Sequence, residues 1–94
     1  MAIARVVEFE GVGVDRIERL KADLESGERP DGLPATELML LYDAAAEKAV
    51  AIVFFDGEDD YATGDATLSA MDPGDTPGRR VSVGKYEVVT RVSV

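Results

Sequence analysis

The sequence predicts an α+β domain of order βαββαβ, a four-stranded antiparallel sheet carrying two helices on one of its faces. Three observations lead there. Four β-rich runs and two runs with helical spacing follow one another in that order along 94 residues, a length that fits a single domain, 1–94. The two middle β-rich runs are joined by a short polar-ended connection, as in a hairpin. A split strand-helix-strand order of this kind places both helices on the same side of the sheet.

Ala2 to Glu10 is rich in β-branched and aromatic residues and is predicted as the first strand. Ile3, Arg5, Val7 and Phe9 share one parity, Ala4, Val6, Glu8 and Glu10 the other, and Gly11 closes the run. Asp15 is placed to cap a helix, with Glu18 following as in a capping box. Ile17, Leu20 and Leu24 form one apolar stripe and Gly27 supplies a left-handed stop, so the first helix is predicted from Asp15 to Ser26. Glu28 to Pro34 reads as an ordered connection.

Thr36 to Tyr42 and Ala49 to Phe55 are the second and third strands, joined as an antiparallel hairpin through Asp43 to Lys48. Ala44 to Ala46 favour helix, but so short a stretch cannot nucleate one against its β-rich flanks. Asp56 is the expected cap of the second helix, where Glu58, Asp59 and Asp60 face the positive end of the macrodipole. Tyr61, Leu68 and Met71 make its stripe with Ala62, Ala66 and Ala70 beside it, while Gly64 weakens it by about 1 kcal/mol relative to Ala. Asp72-Pro73-Gly74 ends it, and Asp75 to Gly78 is loop. Val81 to Val94 is a long last strand whose alternation slips around Gly84-Lys85, where a β-bulge is expected.

Composition excludes much chemistry. With no Cys and no His there is no thiolate nucleophile, imidazole base, Cys-ligated zinc or His-ligated haem. A formal charge of -9 opposes a phosphate backbone or an anionic membrane surface, so neither nucleic acid nor membrane is expected as a partner. An RNA-recognition domain shares this strand order, but the basic-aromatic strand motif is missing. The start of the chain lacks the apolar segment of a secretory signal, and the absence of Cys agrees with a reducing compartment, so a cytoplasmic protein is expected. Asp56 to Asp60 is acidic enough to suggest a hard cation, but it lacks the alternating ligands of a calcium loop and its place at a helix start explains it. No metal or cofactor is therefore expected. Gly11-Val12-Gly13 lacks the third glycine of a dinucleotide turn.

Neither parity of the middle strands is polar. Leu38, Leu40 and Tyr42 back onto Met39 and Leu41, and Val53 and Phe55 onto Ile52 and Phe54. Strands with two apolar faces are buried on both sides, yet two helices cover only one. The other face is expected to pack on a second copy, giving a homodimer. A monomer whose face is closed by its own loops is the competing reading.

With that order over the whole chain, the two-sided strands, the Phe54 to Asp60 turn (FFDGEDD) and the terminal VGKYEVVTRVSV, the sequence resembles the dimeric α+β barrel superfamily, in particular antibiotic biosynthesis monooxygenase-like proteins. The resemblance implies a ferredoxin-like fold, two sheets facing each other in a dimeric barrel, and a site between each sheet and its helices. It implies no single activity, since members include cofactor-free oxygenases, isomerases, haem-handling enzymes and proteins without a known reaction. The haem branches use His, which is absent here. The cofactor-free oxygenases lean on Trp, Tyr, Asn or His, of which this chain has only Tyr42, Tyr61 and Tyr86.

Four residues are candidates for a site. Arg5 sits mid-strand between Ile3 and Val7, so its guanidinium either holds a carboxylate or enolate-like anion in an apolar interior, or snorkels or pairs with an acid such as Glu8 or Glu37. Tyr42 and Tyr86 offer a hydroxyl to a substrate oxygen, or are core and interface residues. Asp65, at the edge of the second helix's stripe, is a general-base candidate or an acid that reaches water. Tyr61 reads as packing. The function expected is binding, or cofactor-free oxygenation or isomerisation, of a small apolar or aromatic molecule. The alternatives are a non-catalytic amino-acid-sensing module with ligand at a dimer interface, and a purely structural dimer.

Overall fold

The β-branched run at the start of the chain becomes a central strand. The computed structural model describes residues 1–27, 32–71 and 77–94. They form β1 (Ile3–Glu10), α1 (Val14–Glu25), β2 (Glu37–Asp43), β3 (Lys48–Phe55), α2 (Glu58–Ser69) and β4 (Arg79–Glu87). The strands make one sheet in the order β2-β3-β1-β4, every neighbouring pair antiparallel. This is the ferredoxin-like α+β arrangement.

Register decides which parity meets the helices. Ile3, Arg5, Val7 and Phe9 stand opposite Phe55, Val53, Ala51 and Ala49, and the row continues into Leu38, Leu40 and Tyr42. Partners in an antiparallel ladder share a face. Val7, Phe9 and Ala49 pack with Ile17 of α1 and with Val12, so this is the face the helices cover. Val6, Val50, Ile52, Phe54, Met39 and Leu41 occupy the opposite, open face.

The connections hold this arrangement at two points. In the β2 to β3 hairpin, Asp43 pairs with Lys48 and its carboxylate accepts the Ala46 N–H, while Glu47 takes a φ of 53°. The backbone N–H of Val12 donates to Glu47 O at 2.9 Å, and the Tyr42 hydroxyl donates to Val12 O at 2.8 Å. Val12 is completely buried, so the hairpin satisfies both polar groups of that residue.

Several local expectations give way to tertiary structure. Gly13 and Gly57, not Asp15 and Asp56, are the N-caps, and neither helix has a side-chain cap; Asp15 lies inside the first turn of α1 instead. The stop at Gly27 holds, with φ 91° and its N–H donating to Leu24 O. α2 ends at Ser69, before Asp72-Pro73-Gly74, which like Glu28 to Asp31 and the loop's first residues lies outside the described residues. Ala62, Ala66 and Ala70 face solvent rather than flank the buried stripe; Gly64 is the buried position, where a Cβ would overlap the Phe55 ring. Glycine there permits close approach of helix to strand.

The last strand is shorter than expected, Arg79–Glu87, and its irregularity lies elsewhere. Ser82 faces Glu8 and Arg80 faces Phe9, so Val81 is the extra residue of a bulge, whereas Gly84 pairs regularly with Val6. Glycine at 84 instead makes room for the ring of Tyr86, which lies against it. Beyond Glu87 the chain leaves the ladder after Val88 N–H donates to Ala2 O. Arg91 then stacks on Phe54, 4.3 Å from the ring centroid, and pairs with Glu37 at 2.9 Å.

Candidate functional site

The helices leave a cavity of about 140 Å³ between themselves and the sheet. Its wall comes from Val7 and Phe9 of β1, Leu40 of β2, Leu20 and Leu24 of α1 and Leu68 of α2. Each is on the helix-facing parity of its strand or the inner stripe of its helix. Among the described residues, the two charged groups on this apolar wall are Arg5 and Arg80.

Arg5 belongs to the central strand and is 3% exposed. Its Nε donates to Asp65 Oδ1 at 2.9 Å, and Nη2 reaches Ser69 Oγ at 3.4 Å. The structure therefore brings two of the four predicted residues together. The acids offered as partners from sequence lie elsewhere: Glu8 is on the open face, bound by the Ser82 hydroxyl, and Glu37 holds Arg91. Asp65, 41% exposed, reaches both the buried guanidinium and water.

Next to this pair α2 builds a polar-aromatic layer. Tyr61 meets Phe55 edge to face at 5.7 Å, and the Lys85 ammonium lies 5.0 Å above the Tyr61 ring while pairing with Glu58. Burial, and after it the Asp65 carboxylate, raise the Tyr61 phenol above its ordinary pKa, although Arg5 and Lys85 pull the other way. The hydrogen bond to Glu58 raises the Lys85 ammonium.

The two remaining candidates do not join Arg5. Tyr42 donates its hydroxyl to Val12 O and lines a separate groove between α1 and β2. Tyr86 stands opposite Ala4 on the open face, 60% exposed. Arg80 is the site residue that sequence reasoning misses. No motif or apolar stripe of the sequence singles it out; it is brought inside by the bulge, which the alternation around Val81 does not reveal. Its Nη2 donates to Leu68 O at 3.3 Å, and its Nε is buried without a partner among the described residues.

The fold and the cavity define a ferredoxin-like α+β protein with an apolar chamber under its helices. Compared with protein-family models and with curated proteins, the chain matches none. Among solved structures it is similar to one described as the structure of Rv0793 from Mycobacterium tuberculosis, at a TM-score of 0.56 and 16% identity, over 99% of this chain and 100% of that one. At that identity the likeness speaks for the fold alone. Among the described residues no helix is long and apolar enough to cross a membrane.

Proposed function

We propose that this chain is an antibiotic biosynthesis monooxygenase-like protein of the dimeric α+β barrel type that binds a small apolar or aromatic molecule, without metal or haem, in the cavity beneath its helices. The observation that carries this reading is the apolar chamber of about 140 Å³ inside one protomer. A dry cavity of roughly 150 Å³ with aliphatic and aromatic walls takes up benzene. The chamber is thus the size of one ring. Its position within the protomer favours this reading over an amino-acid-sensing module, whose ligand sits between protomers.

If the bound molecule reacts, the chain's own resources are Arg5 with Asp65, and the reaction is oxygenation or isomerisation of a group held against that pair. Of the two, the Asp65 carboxylate is the group with the chemistry of a general base. The second copy is proposed to cover the open face, where Met39, Leu41 and Tyr86 are 44%, 48% and 60% exposed. A cytoplasmic location accords with the chain's lack of Cys.

Thermal melts with toluene, phenol and indole test the cavity. Ligand at a hundredfold excess over its Kd adds about 2.7 kcal/mol, which is on the order of ten degrees or more in a domain of this size. Unchanged melting with all three, confirmed by unshifted NMR resonances of Leu24 and Leu68, rejects the binding reading. Sedimentation equilibrium tests the dimer, and a mass of 10.1 kDa at micromolar concentration rejects it.

A further inference from the structure

The two arginines on the cavity wall are not equivalent. Arg5 has its charge answered by Asp65. Arg80 pairs with no carboxylate among the described residues; one nitrogen meets the Leu68 carbonyl and Nε meets nothing. A buried guanidinium nitrogen left unpaired is unfavourable, and a positive charge in an apolar wall attracts an anion more strongly than it would in water.

The bulge explains how Arg80 comes to be there. With regular pairing beyond Glu8 and Ser82, Val81 would face Phe9 and Arg80 would face Glu10, on the open side of the sheet. The extra residue shifts the register by one, so Arg80 instead shares the row of Phe9 and Val7 and lies on the cavity wall. Bulges next to binding sites turn a side chain in this way. The device places a cation where apolar packing alone would place Val81.

We infer that Arg80 makes the cavity selective for anions, so that its ligand is a small apolar carboxylate of about one ring, held with the ring among the leucines and the carboxylate on the guanidinium. This rests on the binding reading above and adds to it the charge of the ligand and the residue that recognises it. The edge formed by Nε and its neighbouring Nη suits both oxygens of a carboxylate. Because Nε is sealed from water, a small rotation of the Arg80 side chain accompanies binding. Arg5, already neutralised, contributes little to the choice.

Titration calorimetry with benzoate and with benzyl alcohol, at one pH and one salt concentration, tests the inference. Wild-type protein is expected to bind benzoate at least tenfold more tightly, about 1.4 kcal/mol. Arg80→Met is expected to bring the ratio near one, and Arg79→Met, which removes an exposed arginine paired with Glu10 outside the cavity wall, to leave the ratio as it is. Should Arg80→Met fail to fold, Arg80→Lys keeps the charge but loses the planar edge, and is expected to lower the ratio at least threefold. An Arg80 that serves only to meet the end of α2 would change the melting temperature and not the ratio. A wild-type ratio of one or less, or a ratio that survives replacement of Arg80, overturns the inference while benzyl alcohol binding still upholds the cavity. Absence of binding by either compound overturns both.

Discussion

Replacing Gly64 by Ala sets two effects of opposite sign against each other. On an exposed helix face, Ala would strengthen α2 by about 0.8 to 1 kcal/mol. At this position a Cβ would overlap Cε1 and Cζ of Phe55 and sit 3.3 Å from Cδ1, and the Phe55 ring is fully buried with its edge contact to Tyr61. The ring cannot swing into water, so α2 must lift or the ring must leave its rotamer. Overpacking of this kind costs roughly 1 to 3 kcal/mol. An overlap on two ring carbons belongs at the upper end of that range, so the net loss is about 1 to 2 kcal/mol, or roughly 5 to 15 degrees of melting temperature. Denaturant unfolding and thermal melts of Gly64→Ala measure it. In a Phe55→Leu background, which removes both overlapped carbons, the same change is expected to be neutral or stabilising by up to about 1 kcal/mol. A Gly64→Ala protein as stable as wild type, or a loss that persists in full in the Phe55→Leu background, refutes the close approach.

Three further outcomes follow from the same contacts. Asp65→Ala leaves Arg5 buried without its partner and is expected to cost about 3 kcal/mol, whereas Arg5→Met leaves Asp65 able to reach water and is expected to stay within about 1 kcal/mol of wild type or exceed it; equal losses in urea unfolding would contradict the asymmetry. Tyr42→Phe leaves the Val12 carbonyl buried and unpaired, a loss of about 1 to 2 kcal/mol with unchanged benzyl alcohol binding; a variant of normal stability that binds poorly would instead make the hydroxyl a ligand contact. Tyr61 and Lys85 both have folded pKa values above their unfolded ones, so their contribution is complete below about pH 10 and is lost as pH rises through the higher folded values. Melting temperature should therefore fall above about pH 10, and less steeply in a Tyr61→Phe, Glu58→Gln double variant; identical alkaline profiles would exclude this layer as the cause.

Element order is legible in the sequence because it rests on local signals. The stripe Ile17, Leu20 and Leu24 and the stop at Gly27 announce α1, and turn residues separate β2 from β3. Which face of the sheet meets the helices is not legible, since Val53 and Ile52 are equally apolar and only long-range pairing with β1 distinguishes them. The caps depart from expectation for a related reason: an acid near a helix start is favourable at several positions, and the geometry of the preceding loop selects Gly13 and Gly57. In the candidate site, Arg5 stands out as a charge between two apolar neighbours and Asp65 as an acid on a stripe's edge, but their contact joins residues 60 positions apart. Arg80 stays hidden because its direction depends on a bulge defined by the partner strand.

Val12 also has a consequence for the order of folding. Its N–H and its carbonyl are both satisfied by the hairpin, at Glu47 and Tyr42, so the corner between β1 and α1 reaches its final bonding only after a turn about thirty residues further along has closed. The first third of the chain cannot finish alone. A nascent α1 emerging from the ribosome has its stripe but no seat for it, and closing that long loop slows folding more than it weakens the folded state. The hairpin is thus a latch for a part of the chain made before it.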